Sequence, residues 1–478
     1  MDQRNERLLL RKVAGHWDKE KFTQAVIVDP RQIKAQATTR WEEQLVFDNS
    51  HAPTGRVVGH TNAGNWGATS EMILWSVTRT GQFRELLRWL PMPGMERTAR
   101  PNVTDVHFVN ESRVLARVGN TMMVWDLAKR AVVWQLNVHS WHRPAISRGG
   151  RYFAAQNRQR IGVFESATGK QLGLIPWEHE GVVSMGFSPD GTQLAVAGER
   201  RLAVFHMQDP QLDTTTELTE KIETFHSRPA WTDDDHIMVG GSWLVDHKLG
   251  ALVWQYDTGG RCNDSKPLTT GLLRGIASSH GELHLFELAL PHQAALDAKK
   301  GVDFASQIRL RRGDSVRLEL DLAGPTDTEK VRQLLTDAID HAGWKLSDQS
   351  DNVVRYTNYR TIERTQKYGS GRFKGQEFPF RPYAASLDIT VDGNLVYRVV
   401  DNGAAPSEMK IGLNETLGEA IERQTVPSYR MLERLTLPSK IIDPKLQKGL
   451  GRTQLTADGW KEDASFDVSL PETPPRGS

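Results

Sequence analysis

The sequence predicts an all-β propeller of seven blades, with six left open, followed by a small α+β domain. Three observations predict it. Apolar–aromatic or paired apolar steps, several ending in an acid, recur at near-constant spacing from Trp125 onward. A Ser188-Pro189-Asp190-Gly191 turn separates two alternating segments. The period stops after Leu290, and helical spacing takes over. At 478 residues the chain is also longer than one hydrophobic core usually serves, so more than one domain is expected.

The best-formed unit is 181–207, GVVSMGFSPDGTQLAVAGERRLAVFHM. Met185 and Phe187 alternate with Ser184 and Gly186. Pro189 sets φ and Gly191 accepts the positive φ that the turn needs. Leu194 and Val196 alternate back, and Leu202 and Val204 begin a third strand. The third-strand step recurs as Val46-Phe47-Asp48, Leu74-Trp75, Val124-Trp125-Asp126, Val163-Phe164-Glu165, Val204-Phe205, Leu244-Val245-Asp246 and Leu285-Phe286-Glu287. From Trp125 the middle residues stand 39, 41, 40 and 41 apart. The first two spacings, 28 and 50, together make 78, twice 39, so one early step is misplaced or carries an insertion. Fourth strands follow at Val132–Leu136, Gln171–Leu174 and Leu252–Tyr256. Four short strands every 40 or so residues are what a propeller blade requires.

On these residues the segment 15–292 resembles WD-repeat and YVTN-type propellers. The likeness rests on HEGVVSMGFSPDGTQLAVAG (179–198), on VWDL (124–127) and on the WD-like steps at 46, 163 and 245. It is divergent: only one copy is a true Trp-Asp pair, and His179 occupies its loop position while Ala195 and Phe205 stand where polar partners would be. The resemblance implies a rigid ring whose loop between second and third strands lies on the top face. The recurring Trp-Asp and SPDG residues are read as structural, filling space between blades and serving turns.

Residues 1–14 are read as a lead and 293–312 as a linker with a short helix. The α+β domain is placed at 313–440 and a flexible tail at 441–478. Val316, Leu318, Leu320 and Leu322 alternate as a strand, and Thr326-Asp327-Thr328-Glu329 fits a capping box before Val331, Leu335, Ala338 and Ile339 at helical spacing. Gly343 stands at the C-cap. Val353–Tyr356 reads as a second strand. Asp392-Gly393-Asn394 reads as a hairpin turn between 386–391 and 395–400. Leu413, Leu417 and Ile421 open another helix, which Pro427 kinks or ends.

Sixty Lys and Arg against 59 Asp and Glu give a formal charge of +1, which removes the field a general nucleic-acid binder would want. The single cysteine, Cys262, excludes an internal disulfide framework and a cysteine-based zinc site. No run approaches the roughly 18 apolar residues of a membrane span. The start, MDQRNERLLLRKVAG, holds no uninterrupted apolar stretch of signal-peptide length. The expectation is a cytoplasmic protein without cofactor. No nucleophile elbow, Walker sequence, HExxH or CxxC occurs, so no catalytic or metal-binding residue is assigned. His139, His142, His179 and His226 fall in links entering blades; loop capping outweighs metal binding, which needs converging ligands.

Two basic groups are candidate binding sites. Arg158 and Arg160 in one loop between second and third strands, and Arg200 and Arg201 in the next, would suit a carboxylate- or phosphate-bearing partner, with Arg117 near the corresponding place before them. Ordinary solvated arginine is the competing reading. Gly369–Gly375 holds Arg372, Phe373 and Lys374, a candidate anion or nucleic-acid loop within the basic and aromatic stretch 355–381. No strand–turn–helix frames it, and a hairpin loop packing on its own domain is favoured. The expected function is a non-enzymatic scaffold that binds a protein or peptide, acidic if the arginines serve it, on the propeller rim. The alternatives are a propeller enzyme of hydrolase or lyase type with a funnel-mouth site, and a weak nucleic-acid module in 355–381.

Overall fold

The computed structural model describes residues 8–13, 22–29, 34–61, 70–92, 102–138, 144–157, 159–177, 184–198, 200–208, 212–217, 228–257, 265–268, 271–277, 283–367, 377–404, 411–412, 415–456, 459–463 and 465–477. Contacts divide the chain into two compact units: Met1–Thr215 with Ile222–Asp234 and Val239–Gly241, and Thr216–Lys221 and Asp235–Met238 with Ser242–Ser478.

The first unit is a series of antiparallel meanders. The first sheet holds Leu8–Val13, Thr23–Asp29 and Lys34–Trp41, and so begins inside the stretch read as a lead. The second holds Leu45–His51, Arg56–Thr61, Met72–Val77 and Phe83–Trp89. The third holds Val103–Asn110, Arg113–Val118, Thr121–Asp126 and Ala131–Asn137. The fourth holds Ala145–Ile146, Tyr152–Asn157, Arg160–Glu165 and Gln171–Pro176. The fifth holds Ser184–Phe187, Gln193–Ala197, Arg201–His206 and Leu212–Glu217. Second and third strands are buried along most of their length. The fourth strand of the third sheet, by contrast, alternates exposed and half-buried residues.

Successive sheets pack face to face, and period-2 alternation decides which neighbour each side chain meets. On Thr121–Asp126, Met123 and Trp125 join Val58, Met72 and Leu74 of the preceding sheet. Met122 and Val124 join Phe153 and Phe164 of the following one. Phe205 joins Ile161 and Val163, and Trp75 joins Trp41, so Trp75, Trp125, Phe164 and Phe205 each face the preceding sheet. Each buried ring of this size is worth about 1.5–3 kcal/mol. Indole N–H groups reach across as well: Trp125 donates to Pro91 O at 3.0 Å and Trp134 to Ser166 O at 3.1 Å.

The repeat has a backbone signature that the sequence alone hides. Third- and fourth-strand register shifts by one residue between Leu74 and Trp75, Val124 and Trp125, Val163 and Phe164, and Leu244 and Val245. The same shift falls between Ile27 and Val28. A bulge sharpens the local twist, and in three of these pairs it falls directly before the inter-sheet ring, Trp75, Trp125 or Phe164. It also corrects one expected step. Val46-Phe47-Asp48 lies on the first strand of its sheet, where Phe47 pairs with Gly59; the step Ile27-Val28-Asp29 carries the bulge instead. An apolar–aromatic–acid triplet does not reveal its strand, and only the pairing does. The Ser-Pro-Asp-Gly turn forms as expected. Ser188 Oγ donates to Asp190 Oδ1 at 2.6 Å, and Gly191 has φ +76°.

His236–Val239, Trp243–Asp246 and Ala251–Asp257 follow in antiparallel order, all but Val239 in the second unit. Ser265–Leu268, Gly271–Ala277 and Leu283–Leu288 form another meander. Helix α1 is Gln293–Lys300, as expected near there, but Ile308–Arg311 pairs with Lys440–Ile442, so 293–312 is not a bare linker. A five-stranded sheet follows, ordered Lys345–Leu346, Ser315–Asp321, Val353–Arg360, Tyr383–Val391, Asn394–Asp401. Helix α2, Thr328–Ala342, buries Val331, Leu335, Ala338 and Ile339 against Val316, Val354, Tyr356, Leu387 and Ile389. Its N-cap is Asp327, which accepts from Lys330 N at 3.0 Å. Thr326 caps nothing and donates to Ala323 O instead. Gly343 closes the helix at φ +78°. Asp392 at φ +49° and Gly393 at φ +76° make the tight hairpin turn. Helix α3 is Leu417–Gln424, with Thr416 and Glu419 forming a capping box.

The stretch 441–478, read as a flexible tail, is built into this unit. Arg452–Thr456 pairs in parallel with Ala251–Asp257 and antiparallel with Gly459–Glu462. The pairing satisfies an outer strand edge that would otherwise stand open. It also draws residues 242–288 into one compact unit with the end of the chain, so the units do not break at 293–312.

Candidate functional site

Of the four arginines expected on one rim, Arg160 and Arg201 open the third strands of adjacent sheets and Arg200 directly precedes Arg201. In the third, fourth and fifth sheets the third strand opens four residues before its inter-sheet ring. Thr121, Arg160 and Arg201 are therefore equivalent, standing before Trp125, Phe164 and Phe205. Arg160 is exposed opposite Asn157. Arg201 is half-buried, its guanidinium 5.9 Å from the Trp177 ring and its Nη2 3.4 Å from Thr215 Oγ1. Arg200 is half-buried in the bend before it. Arg158 lies outside the described residues, as do Arg372, Phe373 and Lys374, and His139, His142, His179 and His226.

Arg117 sits at the same end, on the last turn of pleat before Gly119, and is only 4% exposed. Its partner in register across the first two strands is Asp105, itself 4% exposed. Arg117 Nε donates to Gly119 O at 3.2 Å. Burial pulls its pKa below the ordinary arginine value, and the nearby Asp105 carboxylate opposes that pull. Asp105 also takes a hydrogen bond from Arg228 Nη2 at 3.1 Å, and His107 Nε2 stands 3.9 Å from the same oxygen. Asp105 thus lies beside two guanidinium groups, one buried with it and one partly exposed. The second-strand positions equivalent to Arg117 are His60 and Gln156, both also buried.

The sequence singles out Arg160, Arg200, Arg201 and Arg117, but not Asp105, His107 and Arg228, which gather beside Arg117. Asp105 and His107 alternate within Val103–Asn110 and so belong to one strand face, a signal legible only if a strand is assumed there. Arg228 lies 123 residues from Asp105, and no spacing rule links them.

Several cations of the basic stretch 355–381 are paired within the second unit where they are described. Arg360 bonds Glu422, Lys367 lies 3.3 Å from Glu377, and Arg364 Nη1 donates to Asn402 O at 3.1 Å. Arg364–Lys367 and Glu377–Phe380 form the expected hairpin stem. Among the described residues no group of three or more histidines, cysteines or carboxylates could hold a metal ion. Nor is any described helix long and apolar enough to cross a membrane.

No protein-family model and no curated protein matches the chain. A solved structure described as the crystal structure of the mitotic checkpoint complex is similar at 14% identity, over 52% of this chain and 74% of that one, with a TM-score of 0.39.

Proposed function

We propose that the chain is a β-propeller scaffold that binds a protein or peptide through carboxylates, using the sheet ends where the second strand turns into the third. Seven meander sheets among the described residues between Leu8 and Leu288 match the number of blades the repeat predicts. The observation that carries the binding reading is positional. Arg160 and Arg201 hold equivalent places on adjacent sheets, and Arg117 and Arg228 flank Asp105 at the same end. Planar guanidinium pairs bidentately with carboxylate, so a row of arginines reads spaced acids better than a row of lysines would. Rim charges act mainly on association rate and salt sensitivity.

The test replaces Arg158, Arg160, Arg200 and Arg201 by Ala in the whole chain. Exposed positions should cost under about 0.5 kcal/mol each. Arg201 packs on Trp177, so an Arg201→Lys companion separates packing from charge. The wild-type and variant chains, immobilised, are compared for capture of partners from cell extract across a salt series. The expected result is weaker capture and a flatter salt dependence. A folded quadruple variant that retains the same partners with the same salt slope would make this end ordinary solvated surface.

A further inference from the structure

Residues 474–477, Pro-Pro-Arg-Gly, lie extended along residues 359–362 at the end of Val353–Arg360. Pro474 is buried while Thr473 and Pro475 beside it are exposed. The Tyr359 hydroxyl donates to Pro474 O at 2.6 Å, and Ile362 N donates to Pro475 O at 3.4 Å. Thr361 and Arg476 form an antiparallel bridge, and Gly477 N donates to Arg360 O at 2.9 Å. The Arg476 guanidinium stands 4.9 Å over the Tyr359 ring, with Nη2 3.2 Å from Asp321 Oδ2. A Cβ on Gly477 would come within 2.5 Å of Thr361 O.

The prolines, the arginine and the glycine are each read by a different physical feature. Two prolines offer carbonyls and no N–H, and their carbonyls are the acceptors used here. Their fixed φ keeps the segment extended before it docks, so little conformational freedom is lost. The arginine meets an aromatic face and a carboxylate together. The glycine is the one residue that lets two backbones approach this closely. Strand addition with side-chain pockets is a recurring mode of peptide recognition.

We propose that Asp321, Tyr359, Arg360, Thr361 and Ile362 form a recognition site for an extended Pro-Pro-Arg-Gly peptide. The chain's own residues 474–477 hold it in cis, and a partner bearing the same chemistry takes it when they are displaced. This site is independent of the arginine-bearing sheet ends.

The probe is a labelled peptide of residues 470–478, LPETPPRGS, read by fluorescence anisotropy against the whole chain. A tethered segment competes at an effective concentration on the order of 1 mM, so a peptide at about 10 µM stands at roughly a 100-fold disadvantage on the wild type. Arg476→Ala with Gly477→Ala in the chain weakens the cis segment and leaves the site intact. That variant should gain saturable binding, at least about 10-fold tighter in apparent affinity than the wild type. A peptide carrying the same two substitutions should bind neither chain. Adding Tyr359→Phe to the variant, which removes the hydroxyl bonded to Pro474 O, should weaken binding again. Circular dichroism and the unfolding midpoint establish that each variant is folded. A folded double variant without saturable binding, or one that binds the substituted peptide equally well, overturns the proposal. A wild-type dimer that dissociates on the double substitution would assign the site to a second copy of the chain and overturn the separate partner.

Discussion

Trp254 donates its indole N–H to the Thr453 hydroxyl at 2.8 Å, a bond between residues 199 apart in sequence. It crosses the parallel pairing of Ala251–Asp257 with Arg452–Thr456. Both residues are buried, at 5% and 3% exposure. Gly451 makes room for the indole: a Cβ there would lie 2.4 Å from the ring. His292 closes the other side, edge-on to Trp254 at 5.0 Å between centroids, with Nδ1 2.8 Å from the Tyr256 hydroxyl.

Thr453→Val keeps the shape and removes the acceptor, which leaves the buried indole N–H without it. The expected cost is about 1–3 kcal/mol in chemical denaturation. Hydrogen exchange should speed up at 452–456 before it does in Val353–Arg360. Uniform exchange across both strands would mean that this bond does not anchor the added strand.

The inter-sheet rings predict a contrast between two glycines on adjacent strands of one sheet. Gly162 faces the Phe164 ring, where a Cβ would fall 2.5 Å from Cε2, whereas Gly173 has nothing within 4 Å. Gly162→Ala should cost about 1–3 kcal/mol through overpacking, and Gly173→Ala should be near neutral. Phe164→Ala, which empties the same space, should cost about 3–5 kcal/mol. Equal unfolding midpoints for the two glycine variants would contradict the packing described.

At the hairpin between Tyr383–Val391 and Asn394–Asp401, Gly393 has φ +76° and open space where a Cβ would go. Strain there is therefore backbone strain alone. Gly393→Ala should destabilise by about 1–2 kcal/mol, the cost of a left-handed residue with a side chain. Asp392→Asn, at φ +49°, should be tolerated because asparagine visits that region readily. Thermal unfolding of the two variants measures the difference.

Asp463 gives a pH dependence of known sign. The Ser465 hydroxyl and then the Arg452 guanidinium hold its carboxyl down to about 2, below the ordinary 3.8. The unfolded chain takes up the proton first as pH falls. The stabilisation is therefore complete above about pH 4 and is lost as pH drops through 2. Asp463→Asn should lower the denaturation midpoint at neutral pH, and the gap from wild type should close between pH 4 and 2. A gap that stays constant over that range would show the carboxylate to be idle.

Local signals in this chain were legible wherever a short stretch decides its own conformation. The SPDG turn at 188–191, the Asp392-Gly393 hairpin, the Gly343 cap and the alternation of Val316 through Leu320 all formed as read, because φ preferences and side-chain periods act over a few residues. The spacing of Trp125, Phe164 and Phe205 was legible for a related reason: each sheet repeats one packing problem, and a buried ring solves it in the same place. Strand identity was not. Phe47 and Val28 differ in which partner they pair with, and that choice lies outside the triplet that contains them. Nor could the sequence show Asp105 between Arg117 and Arg228, Arg452–Thr456 as an added strand, or Pro474 under Tyr359. Each of these joins residues about 100 or more apart, or sets the pairing of neighbours by a third segment. The free energy comes from covering an open strand edge, burying an aromatic ring or giving a buried charge its partner, and such contacts exist only once distant parts of the chain have met.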